Sequence, residues 1–474
     1  MSNKLQQIGL LVVGVLVGIA VSLNYSAVAQ KGATTAAPLP IEELRAFTEV
    51  FGRVKSDYVE PVDDKKLITE AINGMLTGLD PHSAYLDQEA FKELQVGTQG
   101  EFGGLGIEVG MEDGFVKVIA PIDDTPAARA GLKPGDLIVK LDDTSVKGMT
   151  LNEAVKRMRG KPNSQITITL VRKGEPKPIV VTLTRSVIKI QSVKAKLLEP
   201  GYAYFRVSQF QEHTGEALAR ALEKHFRENQ GPMKGIVLDL RNDPGGLLNG
   251  AVAVSAAFLP AGSLVVYTDG RTEDSKMKLN ASPEHYLRGR VRDDYVRKLP
   301  PETRMVPMVV LVNSGSASAS EIVAGALQDH KRAVIMGQPT FGKGSVQTIL
   351  PLGNRTAIKL TTARYYTPNG RSIQARGILP DITLDDGASE RVASLKLRES
   401  DLTKHLTDNA KDEEKAKATA AAAKQYNFTP APRPKDFDEK LLRPEPGEIV
   451  SKHDYELNQA VAFLKSRSSV RVAN

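Results

Sequence analysis

Cysteine is absent from this chain of 474 residues, and histidine and aromatic residues are scarce. Without cysteine, the protein has no disulfide bond, no thiolate zinc site, no cysteine nucleophile and no lipid-modified cysteine anchor. Its 7 histidines show no ligand spacing such as H-E-x-x-H, which is the pattern of many zinc enzymes. A metalloenzyme is therefore disfavoured, and we expect no metal and no cofactor.

Charge and composition exclude further classes of protein. The formal net charge of +7 is small for this length, and aromatic residues make up only 5% of the chain, so a nucleic-acid-binding surface has little support. The hydrophobic content of 41% is sufficient for real cores. The length predicts about three domains.

The N-terminus has the pattern of a secretory signal peptide. Lys4 precedes an uncharged apolar run over residues 8–23, and Ala27-Val28-Ala29 follows, which fits the small-residue pattern of a cleavage site. We therefore predict a signal peptide at residues 1–29, export, and a periplasmic location. Because the apolar run is long for a signal peptide, an uncleaved inner-membrane anchor is the alternative.

A serine-rich segment, residues 313–322 (NSGSASASEI), leads into an apolar run that indicates a helix. Ser318 would then lie at the N-terminus of this helix, where unpaired amides and the helix dipole favour an anion such as a tetrahedral oxyanion. Acyl transfer requires such an environment. The alternative is structural, because Ser318 and Glu321 also match the S-x-x-E capping box, in which the serine only satisfies an amide.

A lysine follows in the segment 341–347 (FGKGSVQ). Lys343 lies 25 residues after Ser318, which leaves room for a helix (321–329), a strand and a turn, so the chain can return to the same edge. The nearest histidine, His330, would be about 18 Å from Ser318 along a helix, and lysine is the remaining nearby base. A lysine with the usual pKa of about 10.4 is protonated at neutral pH, so Lys343 must be buried to act as a base.

Two other motifs that contain a lysine occur in the chain, one typical of nucleotide binding and one typical of penicillin-recognising enzymes. Residues 337–343 match the phosphate-binding pattern G-x-x-x-x-G-K, but Gly344 stands where that loop needs serine or threonine, and a strand rather than a helix is predicted next. The S-x-x-K pattern of penicillin-recognising enzymes occurs at Ser186 and Ser275, but neither serine begins an apolar helix. Both interpretations are disfavoured.

The segment 235–246 (GIVLDLRNDPGG) predicts a buried strand and a Gly-Gly turn, followed by a helix over residues 247–258. This order is similar to that of a dinucleotide site, but the G-x-G-x-x-G pattern is missing. The functional interpretation is that Gly246, which has no side chain, lets its amide point at a substrate carbonyl that a Cβ would obstruct. An ordinary strand-to-helix turn is the alternative.

Upstream, residues 103–107 (GGLGI) are followed by alternating apolar residues and a second glycine-containing loop. With a helix predicted at 152–159 and a strand at 165–171, residues 98–185 resemble a bacterial PDZ domain. Such domains hold a terminal carboxylate on backbone amides, add the peptide as a strand, and place its last side chain in an apolar pocket.

The PDZ resemblance implies roles for particular residues. The peptide-binding residues it implies are Gly104, Leu105, Gly106 and Ile107. It also suggests that Arg159, at the end of the helix beside the groove, couples peptide binding to the rest of the protein. The plainer interpretation of Arg159 is an exposed arginine at a helix end.

Three strings occur in the chain in this order: LDLRNDPGG, NSGSASASEI and FGKGSVQTILPL. They resemble the catalytic core of the carboxyl-terminal processing (tail-specific) serine proteases, and the resemblance extends over residues 41–384. It implies a serine endoprotease. The predicted periplasmic location suits a protease that needs no ATP, and no phosphate-binding loop is predicted. The nucleophile implied by the resemblance is Ser318 and the implied general base is Lys343, and the implied oxyanion hole consists of the amides of Gly246 and Ala319.

The same resemblance implies that Gln347 orients the catalytic lysine. On a straight strand, the Cα atoms of Lys343 and Gln347 would be about 13 Å apart. We therefore expect the chain to bend at Gly344.

The predicted fold class is α+β, and the chain divides into five segments. These are a signal peptide (1–29), a helical N-terminal region (30–97), an inserted PDZ β-barrel domain (98–185), a protease core of sheet and helices with crotonase-like ββα elements (186–386), and a helical or linker C-terminal region (387–474). Helices are predicted at 41–58, 64–79 and 455–464, a helical or partly flexible stretch at 391–425, a hairpin or loop at 269–300, and a linker at 430–446. The motif around His82 is typical of the family's N-terminal region, and we interpret His82 as structural.

The expected partners are protein substrates with free, apolar C-termini, together with an adaptor protein and further copies of the chain. The terminal helix can serve such assembly or pack within its own chain. The competing interpretation is a non-catalytic PDZ scaffold on a decayed protease core. Against it, the chain retains Ser318, Lys343, Gln347 and Gly246, a set that a binding protein does not need.

Overall fold

The computed structural model describes residues 39–122, 124–287, 293–385, 397–407, 426, 428–433 and 448–470. The predicted signal peptide at residues 1–29 lies outside the described residues, as does most of the helical or partly flexible stretch predicted at 391–425 and of the linker at 430–446. In the described part of that stretch, the chain forms a 3₁₀ turn at Glu399–Asp401.

The α-helices are α1 (Ile41–Asp57), α2 (Asp64–Thr77), α3 (Gln88–Gln99), α4 (Pro126–Arg129), α5 (Leu151–Met158), α6 (Thr214–Glu228), α7 (Leu248–Ala256), α8 (Pro283–Tyr286), α9 (Ala319–Asp329) and α10 (Tyr455–Val470).

The strands are β1 (Ala84–Leu86), β2 (Glu101–Gly104), β3 (Ile107–Glu112), β4 (Phe115–Pro121), β5 (Leu137–Leu141), β6 (Thr144–Ser145), β7 (Gln165–Val171), β8 (Ile179–Thr184), β9 (Ser186–Lys189), β10 (Val193–Glu199), β11 (Tyr202–Val207), β12 (Gly235–Asp239), β13 (Leu264–Gly270), β14 (Lys278–Asn280), β15 (Met308–Val312), β16 (Val334–Gly337), β17 (Ser345–Pro351), β18 (Ala357–Tyr366) and β19 (Ile382–Thr383). The predicted mixed class of helix and sheet is confirmed.

The first of two compact units ends at Ile72 and contains α1 and most of α2. Glu42 and Glu43 in the first turn of α1, and Lys55 in its last turn, complement the helix dipole. Lys55 also forms an ion pair with Asp64 at 2.8 Å. No side chain of α1 is buried in the described chain, so this helix contributes nothing to a core.

The region predicted to be a PDZ domain belongs to the second unit. Its strands have the order β3-β4-β5-β7-β8, with β6 paired to β5. Along β7, the buried residues Ile166, Ile168 and Leu170 alternate with more exposed ones, as in a strand with one face on a core. A capping box starts α5, in which the amide of Thr150 donates to Glu153 at 2.7 Å and the amide of Glu153 donates to Thr150 at 3.3 Å.

The central sheet has the order β10-β11-β12-β15-β16-β19. The pair β10 and β11 is antiparallel, and the later pairs are parallel. Both β12 and β15 are buried along their whole length, as expected for parallel strands that are covered on two faces. Ile236 and Leu238 pack in the core that holds α6, α7 and α9, whereas Val237 packs in the core that holds α10.

An antiparallel sheet has the order β1-β18-β13-β14, and β17 also pairs with β18. The region predicted as a hairpin or loop at 269–300 contributes the β13–β14 hairpin. It also buries Tyr286, Val296 and Leu299 in the main core. This region is therefore part of the core, because a few apolar residues are buried among its many charged ones.

Arg241 is the centre of a buried ionic network beside the central sheet. Its guanidinium donates to Asp239 on β12 and to Asp454, just before α10, each at 2.7 Å, and it also pairs with Glu456. Burial by itself raises the pKa of Asp239, but the charge of Arg241 and the hydrogen bonds to Asp239 lower it to about 2. The network therefore attaches the C-terminal helix to the strand that leads into the Gly-Gly turn.

We expect Arg241→Leu to lower the free energy of unfolding by about 3–5 kcal/mol, because the loss of one partner leaves buried carboxylates uncompensated. The control is Arg220→Leu, which breaks only an exposed pair with Glu216 and should cost less than about 1 kcal/mol. Urea unfolding followed by circular dichroism gives both values. Equal costs for the two variants would contradict a structural role of the network.

The same network predicts a dependence of stability on pH. Because the pKa of Asp239 is lower in the folded than in the unfolded protein, its stabilising contribution is present above pH of about 4 and is lost as the pH falls towards about 2. The stability difference between the parent and Arg241→Leu should therefore shrink in acid. A difference that is constant down to the acid transition would oppose this account.

Candidate active site

Three loops meet at one edge of the central sheet. The strands β12, β15 and β16 are neighbours and run parallel, and each is followed by one of the three family-like strings. Because the carboxyl ends of neighbouring parallel strands lie at the same edge, the topology brings the three loops together. Two backbone hydrogen bonds join them: the amide of Ala317 donates to Asp243 at 3.0 Å, and the amide of Phe341 donates to Ser316 at 3.0 Å.

Ser318 lies on the turn between β15 and α9, directly before the first helical residue. Its backbone has φ 55° and ψ −111°, a conformation that is strained for any residue except glycine. In the α/β-hydrolases, the nucleophilic serine also lies on a strained turn between a strand and a helix. The side chain of Ser318 is half-buried.

Gly245 and Gly246 bring the turn after β12 against the Ser318 turn. A Cβ on Gly245 would lie 2.9 Å from the Cβ of Ser318 and 2.9 Å from the amide nitrogen of Ala319. A Cβ on Gly246 would instead lie 2.1 Å from the carbonyl oxygen of Phe210. The close approach to Ser318 therefore requires glycine at position 245, and the close approach to Phe210 requires glycine at position 246.

Two amides at this point are available to bind an anion. Among the described residues, the amides of Gly246 and Ala319 donate to no protein group. The amide of Ala319 belongs to the first turn of α9, where no intrahelical acceptor exists. Two unpaired amides beside a serine are the elements of an oxyanion hole.

Glu321 joins the Ser318 turn to the loop that carries Lys343. Its side chain is fully buried, and its Oε2 accepts hydrogen bonds from the amide of Ser318 at 2.7 Å and from the amide of Lys343 at 2.9 Å. Its Oε1 accepts from the amide of Gly342 at 2.7 Å and from the hydroxyl of Thr340 at 2.6 Å. One carboxyl group therefore positions the backbones of the predicted nucleophile and the predicted base.

Desolvation dominates the electrostatics of Glu321. Burial raises its pKa to about 7, because the loss of water outweighs the four donated hydrogen bonds, which act in the opposite direction. The carboxyl group therefore keeps its proton to a higher pH than an exposed glutamate does.

Lys343 is held in a partly desolvated environment. Burial lowers its pKa, and the positive charge of Lys359 lowers it further, whereas Glu399, Glu321 and Asp80 oppose this shift. Within the described chain, its ammonium group forms no hydrogen bond and no ion pair. A lysine with a lowered pKa is neutral more often, which a general base requires.

Gln347 does not contact Lys343 by a hydrogen bond in the described chain. Its side-chain amide donates to Ser345 at 2.9 Å and to Thr361 at 3.3 Å. The strand β17 begins only at Ser345, so Lys343 lies before it, and the pairing irregularity falls between Val346 and Gln347. The expected separation along a straight strand therefore does not apply.

A second network reaches the Lys343 loop from distant parts of the chain. His82 Nε2 lies 2.8 Å from an oxygen of the buried Glu399, and Glu399 accepts a hydrogen bond from Gln374 at 2.9 Å. Gln374 accepts one from the amide of Gly344 at 3.0 Å. His82 is thus connected, through Glu399 and Gln374, to the loop that carries Lys343.

Sequence reasoning missed these supporting groups for different reasons. The S-x-x-E spacing of Ser318 and Glu321 is visible in the sequence, but a capping box explains this spacing without any role for Glu321 in positioning Lys343. No local signal identifies Glu399 or Gln374. The sequence also gives no signal for Asp80. This residue accepts a hydrogen bond at 3.0 Å from the hydroxyl of Thr361, which itself accepts one from Gln347.

In the carboxylate-binding loop predicted in the PDZ region, the carbonyl groups of Leu105 and Gly106 accept hydrogen bonds, whereas their amides have no acceptor among the described residues. The carbonyl of Leu105 accepts from Ala127 at 3.0 Å, and that of Gly106 accepts from Ile122 at 2.9 Å and from Thr125 at 3.1 Å. Among the described residues, the amides of Leu105 and Gly106 donate to no group. The Leu105 side chain is buried in the domain core, so only its backbone can contact a peptide.

Gly104 and Ile107 flank Leu105 and Gly106 in the same loop. Gly104 is buried at the end of β2, and Ile107 begins β3 and is only partly buried.

Arg159 follows α5 directly, and its guanidinium lies over the ring of Phe102 on β2, 4.5 Å from the ring centre. Since β2 pairs with β9, Arg159 contacts the strand pair that connects the PDZ region to the central part of the chain.

Across the described ranges, no cluster of histidine, aspartate and glutamate has an arrangement that could hold a metal ion. In the same part of the chain, no helix has the length and apolar character needed to cross a membrane.

Comparison with known proteins identifies the family. Residues 201–384 match peptidase family S41, residues 103–183 match the PDZ domain, and residues 17–90 match the N-terminal domain of the activating protease CtpB. A carboxy-terminal-processing protease of Bartonella bacilliformis is 44% identical over 441 residues, which are 91% of this chain and 95% of that protein.

Further relatives include the carboxy-terminal processing protease CtpA of Bacillus subtilis, which is 34% identical over 361 residues, or 76% of this chain and 72% of that protein. Among solved structures, the photosystem II D1 C-terminal processing protease is 32% identical, with a TM-score of 0.40, and the match covers 72% of this chain and 86% of that one. The resemblance carried by the three strings is thereby confirmed, and the chain belongs to peptidase family S41 as a serine-type carboxy-terminal processing protease with a PDZ domain.

Proposed function

We propose that this protein is an exported, ATP-independent endoprotease in which Ser318 is the nucleophile and Lys343 the general base. The observation that carries the proposal is the carboxyl group of Glu321, which accepts hydrogen bonds from the amides of both residues. The unpaired amides of Gly246 and Ala319 lie beside the same turn.

In the proposed reaction, the amine of Lys343 takes the proton of the Ser318 hydroxyl as the oxygen attacks the scissile carbonyl. The resulting oxyanion accepts hydrogen bonds from the amides of Gly246 and Ala319. Lys343 then gives its proton to the leaving amine, and water hydrolyses the acyl-enzyme by the same steps. The lowered pKa of Lys343 supports this role, because only the neutral amine can accept the proton.

We further propose that Gln347 orients the amine of Lys343 once substrate is bound. Its amide is held by Ser345 and Thr361 instead of Lys343. This arrangement agrees with a resting site that is not fully aligned and that the PDZ domain aligns when it binds a substrate tail. Arg159, which stacks on Phe102 next to the connecting strands, is the proposed link between the two events.

The PDZ domain is proposed to select substrates by their C-termini. The free amides of Leu105 and Gly106 support binding of a terminal carboxylate, and the partly buried Ile107 supports an apolar last side chain. An adaptor protein and assembly of several copies of the chain are further proposals, which rest on the family resemblance.

A periplasmic location is proposed from residues 1–29, which have the pattern of a cleaved signal peptide. An uncleaved segment would add membrane contact. The alternative function is a non-catalytic scaffold that binds protein C-termini. The fully buried Glu321 between Ser318 and Lys343 favours the enzyme, because a binding protein has no need of this arrangement.

The first test uses residues 30–474 and a disordered protein substrate that ends in apolar residues. Ser318→Ala and Lys343→Ala should each lower kcat/KM for cleavage by about 10³-fold or more. The matched control is Ser314→Ala in the same segment, whose hydroxyl forms no hydrogen bond within the described chain. It should cleave at the rate of the parent.

Two other results of this test contradict the proposal. Equal cleavage by the parent, Ser318→Ala and Lys343→Ala would reject the site assignment. If neither the parent nor any variant cleaves the substrate but its tail binds tightly, the scaffold is favoured.

The second test concerns the substrate terminus. With the Ser318→Ala protein, a labelled peptide that has a free C-terminal carboxylate should bind about 10-fold or more tightly than the same peptide with a C-terminal amide. The physical reason is the loss of charge-assisted hydrogen bonds to the loop amides. Fluorescence anisotropy measures both affinities, and equal values would show that the terminus is not recognised.

The third test concerns Glu321. Glu321→Gln places a side-chain amide against groups that all donate hydrogen bonds, so at least one donor loses its partner. We expect kcat to fall by about 10–100-fold with little change in KM, and the free energy of unfolding to fall by about 1–3 kcal/mol. Glu216→Gln, which changes only a surface pair with Arg220, is the control. Full activity of Glu321→Gln would contradict the positioning role.

A further inference from the structure

Asp243 is a buried carboxyl group in the turn between β12 and α7, next to the two available amides. Its side chain is fully buried. Its Oδ1 accepts a hydrogen bond from the amide of Gly245 at 2.9 Å. Its Oδ2 is also buried and has no hydrogen-bond partner among the described residues. A buried carboxylate oxygen without a partner is costly, and such a group requires an explanation.

The backbone of Asp243 connects the two loops that supply these amides. Its carbonyl oxygen accepts hydrogen bonds from the amide of Ala317 at 3.0 Å and from the hydroxyl of Ser320 at 2.9 Å. These residues flank Ser318 and Ala319 on the nucleophile turn. Through its side chain, the same residue holds Gly245, the neighbour of Gly246. Asp243 therefore sets the distance between the amide of Gly246 and that of Ala319.

The surroundings of Asp243 favour its uncharged form. Burial raises its pKa to about 7, against the opposing effects of the hydrogen bond from Gly245 and of the nearby Ser320 hydroxyl, which donates to the backbone carbonyl. The charged groups that face it are Arg206 on β11, which lowers its pKa, and Asp239 on β12, which raises it. Glu321, in the first turn of α9, is a second buried carboxyl group in the site, and burial raises its pKa as well.

We propose that Asp243 is a positioning residue for the oxyanion: its neutral carboxyl group holds the Gly245-Gly246 turn in place, and a negative charge on it opposes the oxyanion. This inference rests on the proposed function. An uncharged carboxyl group can still accept the hydrogen bond from Gly245, so the geometry remains. When the group ionises, a full negative charge lies in the turn that must stabilise another negative charge, in a region with little water to screen it.

The titrations of Lys343 and Asp243 change kcat/KM in opposite directions as the pH rises. A rising pH increases the fraction of neutral Lys343, so the rate rises. The same change ionises Asp243, so oxyanion stabilisation falls, and kcat/KM should pass through a maximum. Glu321 remains in every variant of Asp243, so any effect of its own titration persists in all of them.

The test is a pH profile of kcat/KM between pH 5 and 9 for the parent, Asp243→Asn and Asp243→Ala. Asparagine keeps the acceptor for Gly245 but cannot ionise. The ratio of Asp243→Asn to parent activity should rise by roughly tenfold between pH 6 and 9, as expected for the removal of one nearby charge at an effective dielectric of about 20. Asp243→Ala loses the acceptor and should fall by about 10–100-fold across the whole range.

A second readout does not depend on activity. Because the pKa of Asp243 is higher in the folded than in the unfolded protein, the folded state loses stability as the pH rises from about 4 to about 7. The Tm of Asp243→Asn relative to the parent should therefore increase between about pH 4 and 7 and stay constant at higher pH. This comparison also shows whether each variant is folded.

Three outcomes separate the possible failures. If the ratio of Asp243→Asn to parent activity is constant with pH while the Tm difference rises, Asp243 is a structural group and the proposal is wrong. If the activity ratio and the Tm difference are both constant with pH, Asp243 does not titrate in the folded protein, and the proposal is also wrong. If Ser318→Ala is as active as the parent, the proposed function itself fails, and the Tm comparison alone still reports the ionisation of Asp243.

Discussion

Glu321 is the constraint on which the geometry of the candidate site depends. Four donors from two chain segments converge on its two oxygens. A strained backbone such as that of Ser318 persists only where its surroundings determine it from several directions. Glu321 supplies one of these by accepting from the amide of Ser318, while the same oxygen accepts from Lys343. The strain of one loop and the position of the other thus have a common cause.

The central sheet that carries the candidate site is covered by an apolar core on one face and by the C-terminal helix, with its buried ion pairs, on the other. On one face, α6, α7 and α9 form an apolar core, which fixes the direction of the helix behind Ser318. On the other face, α10 packs on the strands, and Arg241 connects it by buried ion pairs to Asp239 at the end of β12. The turn that follows β12 contains Asp243, Gly245 and Gly246. The C-terminal helix is therefore coupled to the turn that completes the site, although it contributes no group to the proposed chemistry.

Much of this could be predicted from the sequence, because the decisive signals are local. The strand at residues 165–171 and the helix that begins next to Ser318 follow from apolar periodicity, and observed bounds agree within a few residues. The contacts of His82 and Glu399 could not be predicted, since 317 residues separate the two. The close approach of Gly246 to the carbonyl of Phe210 could not be predicted either, because no sequence pattern relates the two residues. Local patterns predict elements, whereas contacts between distant segments require the folded topology.

Burial has opposite effects on the acids and the base of the site, and both effects favour the proposed reaction. It lowers the pKa of Lys343, so the amine is available as a base. It raises the pKa of Glu321 and of Asp243 to about 7, so less negative charge opposes an oxyanion. A more exposed site would reverse each shift: the lysine would stay protonated and the carboxyl groups would ionise. The exclusion of water is therefore as much a part of the candidate machinery as the residues themselves, and it explains why the supporting groups are buried rather than placed on the surface.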